Sequence, residues 1–186
     1  MSFAGELIAI ATVLCWTLSV QFFGAASRMI GATTVNIIRL GFALLFFGVF
    51  LTLSYNAPIP LDFPVHAWVY LGLSGVVGFF IGDIFLFKAL VELGPRVAML
   101  MHSLAAPTSA VIGWMWLGEI YQLHQWVGIM ITLSGVMLVI LEKAGPSSSA
   151  QQLRKERLPF IGILYGLGAM LGQAGGYVLS KAGMQV

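Results

Sequence analysis

The fold is decided by residues 85–143, which read FLFKALVELGPRVAMLMHSLAAPTSAVIGWMWLGEIYQLHQWVGIMITLSGVMLVILEK. Two apolar runs flank a short polar break at Leu117–His124. Each run has about twenty residues, enough to cross a hydrocarbon core of roughly 30 Å as a helix. A Gly94-Pro95 turn precedes the first run, and Pro107 lies in its middle. The pattern predicts two transmembrane helices joined by a short connection.

The composition of the whole chain agrees with this prediction. Hydrophobic residues make up 59% of the 186 residues and charged residues 9%, with a mean hydropathy of +0.96. Soluble domains carry about 25% charged residues, so the composition indicates a polytopic membrane protein. The single Cys15 excludes an internal disulfide and a cysteine metal cluster.

Outward from this stretch, the apolar runs predict an all-α polytopic membrane protein with six transmembrane helices. The predicted spans are Glu6–Phe23, Thr34–Tyr55, Ala67–Leu90, Arg96–Trp116, Gln125–Leu141 and Leu158–Leu179. Small residues mark Gly24–Thr33 as a loop, and three prolines mark Asn56–His66 as another.

The polar segment 144–157 predicts a flexible linker between the fifth and sixth spans. Basic residues concentrate in the first, third and fifth loops, whereas the second and fourth loops have none. The positive-inside rule therefore places the linker in the cytoplasm and the N-terminus outside. Lys181, at the outer end of the sixth span, is the one exception to this bias.

Residues spaced along 1–143 carry a resemblance to a known family. They are Trp16, Arg39, Ala89-Leu90, Gly94-Pro95, Pro107, Leu117-Gly118-Glu119, Gln125-Trp126, Gly128 and Ser134-Gly135-Val136. In these positions the chain resembles the EamA-type repeat of the drug/metabolite transporter superfamily. The resemblance implies a five-helix repeat over 1–143, followed at 158–186 by the first helix of a truncated second repeat. Because five spans are an odd number, the second repeat would be inverted. Family members usually carry ten helices and move small organic molecules.

Three ionisable residues are predicted to lie inside the membrane, where charges are costly and mark functional sites. Arg39, Asp83 and His102 each lie about 8–10 Å from the cytoplasmic end of their spans, which predicts one cluster able to bind substrate or take a proton. Each also has a structural interpretation. Arg39 can snorkel to the interface, Asp83 can be its partner, and His102 can be a packing histidine.

The remaining candidates come from the resemblance and from the prolines and glycines. Trp16 and Gln173 occupy similar places in their repeats and are substrate-site candidates. Pro107 removes a backbone donor, which predicts a kink or hinge. Gly118 and Glu119 form the family motif, where Glu119 is expected to cap the fifth span or fix the loop.

Glycines spaced four apart predict close helix packing in the third and sixth spans. They are Gly78 and Gly82 with the nearby Gly75, Gly162 and Gly166, and Gly168, Gly172 and Gly176. One glycine face of the sixth span is expected to pack on the first repeat and the other to meet lipid or a second chain.

Other chemistries have no motif in the sequence. There is no P-loop, no His-Glu-x-x-His and no basic face, so an ATPase, an enzyme, a metal site and nucleic-acid binding are not expected. The leading interpretation is a secondary transporter of small organic metabolites or drugs, an exporter or exchanger in the cell membrane, without a cofactor. The alternative is a non-transporting fragment or split subunit. Expected partners are the lipid bilayer, a small-molecule substrate, and either a second chain or a missing C-terminal half, without which no transport is expected.

Overall fold

The structure, a computed structural model, describes residues 3–55, 64–142 and 160–185. In these ranges the regular structure is entirely helical, which confirms the all-α prediction. The elements are α1 (Phe3–Ile30), α2 (Ala32–Tyr55), α3 (Val65–Ser74), a π-helical segment (Gly75–Gly82), α4 (Asp83–Ser103), α5 (Ala105–Trp116), α6 (Leu123–Glu142) and α7 (Phe160–Met184). The predicted linker 144–157 and most of the predicted loop Asn56–His66 lie outside the described residues.

Three helices are long and apolar enough to cross a membrane, within Gly5–Ile30, Ala32–Ser54 and Phe160–Met184. They identify an integral membrane protein. The predicted third and fourth spans are divided among four shorter elements, α3, the π-helical segment, α4 and α5. The count of six spans therefore stays a prediction.

The predicted loop Gly24–Thr33 is wrong, because α1 continues to Ile30 and α2 begins at Ala32. Only Gly31 breaks the helix, with a φ of +89° that favours glycine. The small residues before it belong to a packing surface. A Cβ on Gly24 would lie 3.9 Å from the Cβ of Leu90, and Ser27 is buried. Small residues thus serve close helix contact here rather than a turn.

Two breaks shape the middle of the chain. Gly94, with φ 76° and ψ 163°, interrupts α4 immediately before Pro95, as the predicted Gly94-Pro95 turn requires. The second break is at Leu104, between α4 and α5. Pro107 has no N–H and cannot donate the helical hydrogen bond to the Ser103 carbonyl, so a regular helix does not continue through this position. Pro107 instead lies in the first turn of α5, where no such donor is needed. The break lies three residues before Pro107, and the predicted hinge at Pro107 stays a prediction.

Helix α7 is the centre of the packing and runs antiparallel to α3, the π-helical segment and the part of α4 that precedes Gly94. The register is fixed by facing pairs, namely Gly162 with Leu93, Gly168 with Phe85, Gly172 with Gly82, Gly176 with Gly78, and Gly183 with Tyr70. A Cβ on Gly172 would lie 2.7 Å from the Cα of Gly82, and one on Gly176 would lie 2.9 Å from that of Gly78. The close packing at Gly78 and Gly82 is confirmed.

The expectation that one glycine face of α7 meets lipid or a second chain is wrong. Both glycine stripes lie against helices that precede α7, since Gly162 and Gly166 contact α4 while Gly172 and Gly176 contact the π-helical segment. The exposed side of α7 instead carries large apolar residues such as Leu164, Leu171 and Tyr177. Gly75, which was grouped with the stripe, has no neighbour within 4 Å of its added Cβ.

Beside α7, the core consists of α1, α2 and the first part of α4. Leu86, Phe87, Ala89 and Leu90 are almost fully buried there. Helix α6 is held mainly through Trp126, whose ring centroid lies 5.7 Å from that of Trp114 and 6.0 Å from that of Tyr121. Most other described side chains of α6 are exposed.

Candidate functional site

Asp83 lies near mid-height of the helix bundle. Its neighbour Gly82 faces Gly172, which is at the middle of α7. Counted from the break at Gly94, Asp83 is about 15 Å along its helix. This is deeper than the predicted 8–10 Å, because the helix continues past Leu90 to Leu93 and the turn is correspondingly shorter.

Arg39 and Asp83 form a buried ion pair, in which Arg39 Nη2 donates a hydrogen bond to Asp83 Oδ2. The predicted contact between them is confirmed. The side chains are 19% and 3% exposed. The guanidinium carbon also lies 5.8 Å and 5.4 Å from the ring centroids of Phe23 and Phe87, within cation–π range. Removing one partner of a buried pair leaves an uncompensated charge and costs about 3–5 kcal/mol.

Asn36 extends this polar group to the π-helical segment. Its Nδ2 donates hydrogen bonds to the carbonyls of Phe79 and Phe80, at 3.1 and 3.0 Å. The Phe80 carbonyl also accepts the backbone N–H of Asp83. Asn36 is fully buried, and its Oδ1 has no hydrogen-bond partner among the described residues. Asn36 and Arg39 are three residues apart on one face of α2, so one turn of α2 binds both the irregular backbone and the carboxylate.

Asn36 was missed in the sequence analysis, although its position carried a signal. It is an amide in an apolar span, three residues before a candidate charge, and polar residues in such spans usually face a partner or a cavity. The π-helical segment itself gave no signal in the sequence. Its hydrogen-bond pattern differs from that of an α-helix, and Asn36 supplies a donor at two of its carbonyls.

Gln173 and Trp16 lie at about the same height as Asp83. Gln173 follows Gly172 on α7 and is 8% exposed. On α1, Phe23 packs on Phe87 and Gly24 faces Leu90. If the two helices keep this pairing offset along their length, Trp16 lies at about the height of Gly82. Trp16 is 38% exposed. Within the described residues, neither side chain hydrogen-bonds to Arg39 or Asp83.

His102 is not part of the Arg39–Asp83 pair. Its neighbour Met101 packs on Gly166, six residues before the Gly172 that faces the neighbour of Asp83. The described residues show no ion pair or hydrogen bond between His102 and either partner, and its Nδ1 is buried without a partner. Among the described residues the hydrogen-bonded contact is therefore between Arg39 and Asp83, and a wider cluster that includes His102 stays a prediction.

A second polar group lies at the connection between α5 and α6. Gly118, with φ +64°, ends α5 and directs the chain back over it. Glu119 then forms an ion pair with Lys181 of α7 and accepts a hydrogen bond from the Tyr121 hydroxyl. A Cβ on Gly113 would lie 3.1 Å from Glu119 Oε2, so a larger residue there would push this carboxylate aside by a few tenths of an ångström. The expected capping of the fifth span is instead performed by Gln125, whose Oε1 accepts the Gln122 N–H at 2.7 Å.

The electrostatics of this second group follow from its hydrogen bonds. Those from Lys181 and Tyr121 lower the pKa of Glu119 below its usual range. The same bond to Glu119 raises the pKa of Tyr121 to about 12. The Lys181 side chain is 53% exposed, and ion pairs of this exposure contribute about 0–1 kcal/mol. Lys181, the exception to the charge bias, thus has its partner in the family motif.

The comparisons with known proteins agree with this architecture. The model of the EamA-like transporter family matches residues 3–141, well over half of the chain. Neither the comparison with curated proteins nor the comparison with solved structures gives a match. Among the described residues, no three His, Cys, Asp or Glu side chains are grouped so that they could hold a metal ion. The chain belongs to the EamA-like transporter family, whose members are membrane transporters rather than enzymes.

Proposed function

We propose that the chain is a secondary transporter of small organic metabolites or drugs, working as an exporter or exchanger across the cell membrane with six spans. The buried Arg39–Asp83 pair carries this proposal. Charges at such a depth are costly and are retained where they face a solute or ion pathway. If the pair contributed only to helix packing, apolar residues of similar volume would stabilise the fold equally well.

The pair supplies both signs of charge to a passing solute or ion. A solute anion competes with Asp83 for the Arg39 guanidinium, and a cation or proton competes with Arg39 for the Asp83 carboxylate. Either event frees the other partner, so binding at one residue alters the α2 contact with the π-helical segment. Gln173 and Trp16, at the same height, are proposed to contact the solute, while His102 lies to one side. Pro107 is proposed as a hinge.

Movement is supported by the packing of α7. At the crossing of Gly78 and Gly82 with Gly172 and Gly176, the two backbones are in direct contact. The buried Ser74 hydroxyl bridges the crossing by donating a hydrogen bond to the Gly176 carbonyl at 2.8 Å. Because the rest of the crossing is glycine on glycine, α7 can rock on the π-helical segment about this hydrogen bond. We propose that this crossing is the moving contact of the transport cycle.

A flux assay in liposomes tests the proposal, with a panel of amino acids, sugars and cationic drugs. Asp83→Asn keeps the volume but leaves Arg39 unpaired, so saturable flux should be lost. Glu92→Gln is the matched control, since it makes the same change on the exposed side of the same helix. The exchange Arg39→Asp with Asp83→Arg should recover folding yield. Full flux in Asp83→Asn would refute the assignment of the pair.

The alternative proposal is a non-transporting subunit or fragment that needs a partner chain or further spans. The exposure of α6 favours it, because Val127, Met130 and Ile131 are 49%, 60% and 67% exposed and α6 packs mainly on α5. Saturable uptake by a proven monomer would overturn this alternative. A monodisperse, folded chain without flux of any solute in the panel would support it.

A further inference from the structure

A small cavity lies beneath the Glu119–Lys181 pair, between α5 and α7. Its volume is about 150 Å³, and its lining includes Ser109, Gly113, Tyr177, Val178, Glu119 and Lys181. A water molecule occupies about 30 Å³ of liquid, so the cavity has room for about five groups of that size. Drug-sized ligands need about 300–1,000 Å³. The cavity therefore suits only a very small ligand.

The charges at this cavity are of opposite sign and come from two separate elements. Glu119 lies on the α5–α6 connection and is 14% exposed, whereas Lys181 lies on α7 and is 53% exposed. Because Lys181 is the more exposed partner and the pair is weak, a ligand can separate the two at little cost. Gly113 leaves room for the carboxylate at the cavity wall, where the Tyr121 hydroxyl donates a hydrogen bond to Glu119 Oε2.

Ligands with a single charge do not fit this arrangement well. An anion that binds Lys181 leaves the less exposed Glu119 without its cation, and a cation that binds Glu119 leaves Lys181 without its anion. A zwitterion replaces both interactions at once. The smallest zwitterions, with one carbon between ammonium and carboxylate, have about the five non-hydrogen atoms for which the cavity has room.

We propose that this cavity binds a small zwitterion such as a short α-amino acid, whose ammonium group binds Glu119 and whose carboxylate binds Lys181. The apolar lining of Val178 and Leu117 receives the carbon atoms. The site is formed by residues far in sequence from the Arg39–Asp83 pair and needs no flux to be detected. It thus goes beyond the proposed function, and the two can fail separately.

The test is ligand binding to the purified full chain in detergent, measured by calorimetry and by the thermal unfolding midpoint. The probes are glycine, acetate, which lacks the ammonium group, and methylammonium, which lacks the carboxylate. Glycine should bind saturably and raise the midpoint, and the other two should bind about tenfold or more weakly, since each loses one charge-assisted contact. Glu92→Gln, on the exposed side of α4, should bind glycine as the wild type does.

Two variants separate a binding site from a structural ion pair. In Glu119→Gln, glycine should bind no better than acetate, and in Lys181→Met it should bind no better than methylammonium. A purely structural pair would alter stability without altering this selectivity. Equal binding of all three probes by the wild type, or no binding of glycine, would overturn the proposal. Both of these results need only the unmodified chain, and neither bears on flux through the Arg39–Asp83 site.

Discussion

Gly172→Ala tests the central contact of the fold, the crossing of α7 with the π-helical segment. The added Cβ would lie 2.7 Å from the Cα of Gly82 and 3.2 Å from the Val77 carbonyl oxygen. Ordinary contact begins at 3.4 Å, so the two backbones must separate by about 0.7 Å. Neither obstacle is a flexible side chain that can turn away. Overpacking of this kind costs about 1–3 kcal/mol.

Gly175→Ala is the matched control on the same helix. Its added Cβ would lie 3.4 Å from the Val77 Cγ1, which is ordinary contact with a side chain. Both substitutions gain the same helix propensity, about 1 kcal/mol for alanine over glycine, so the difference between them isolates the steric term.

Thermal unfolding in detergent, followed by gel filtration of the surviving folded protein, measures this difference. The midpoint of Gly172→Ala should lie about 2–12 °C below that of Gly175→Ala. Equal midpoints would show that α7 does not approach Gly82 as closely as the structure has it.

Three further predictions concern the polar groups. The lowered pKa of Glu119 means that its stabilising contribution is complete above its usual value of 4.5 and is lost as the pH falls through the lower folded value; a pH series of unfolding midpoints should show this acid-side loss, and Glu119→Gln should abolish it. Spectrophotometric titration should show a tyrosine ionising at about 12 that is absent from Tyr121→Phe, whereas identical titrations would contradict the bond to Glu119. Asn36→Ala should lower stability by about 1–3 kcal/mol, because the Phe79 and Phe80 carbonyls lose a donor; an unchanged denaturant midpoint would show that they find other partners.

The Arg39–Asp83 contact could be predicted from the sequence because hydrophobic burial leaves few places for charge. Once the apolar runs define the spans, an arginine and an aspartate at similar depths in consecutive helices have few other partners of opposite charge. The turn at Gly94-Pro95 could also be predicted from the sequence, because the backbone conformation of a glycine before a proline is a local property. The pairing of the two charges and the turn before Pro95 were therefore predicted correctly, whereas the small-residue composition of Gly24–Thr33 led to a wrong prediction of a loop.

Features that depend on which helix lies beside which could not be predicted in this way. The sequence around Gly24 and Ser27 has the same small residues whether it forms a loop or a close helix contact, and only Leu90 across the interface distinguishes them. The partner of Lys181 is 62 residues away, on the connection at Glu119. Neither contact can be predicted from the local sequence, because in each case the partner lies far along the chain.

The glycine spacing that permits the observed crossing does not by itself fix its register. Gly172 faces Gly82 and Gly176 faces Gly78, but a shift of one turn, about 6 Å, would place Gly172 against Gly78 and Gly168 against Gly82, again glycine on glycine. The register is therefore selected by side chains. Leu93 at Gly162, Met101 at Gly166 and Phe85 at Gly168 each belong to the observed arrangement alone, as does the Glu119–Lys181 pair at the far end of α7. Since that pair is weak and half exposed, the packing of α4 on α7 holds the helix in place, and the Glu119–Lys181 pair can open while the register is kept.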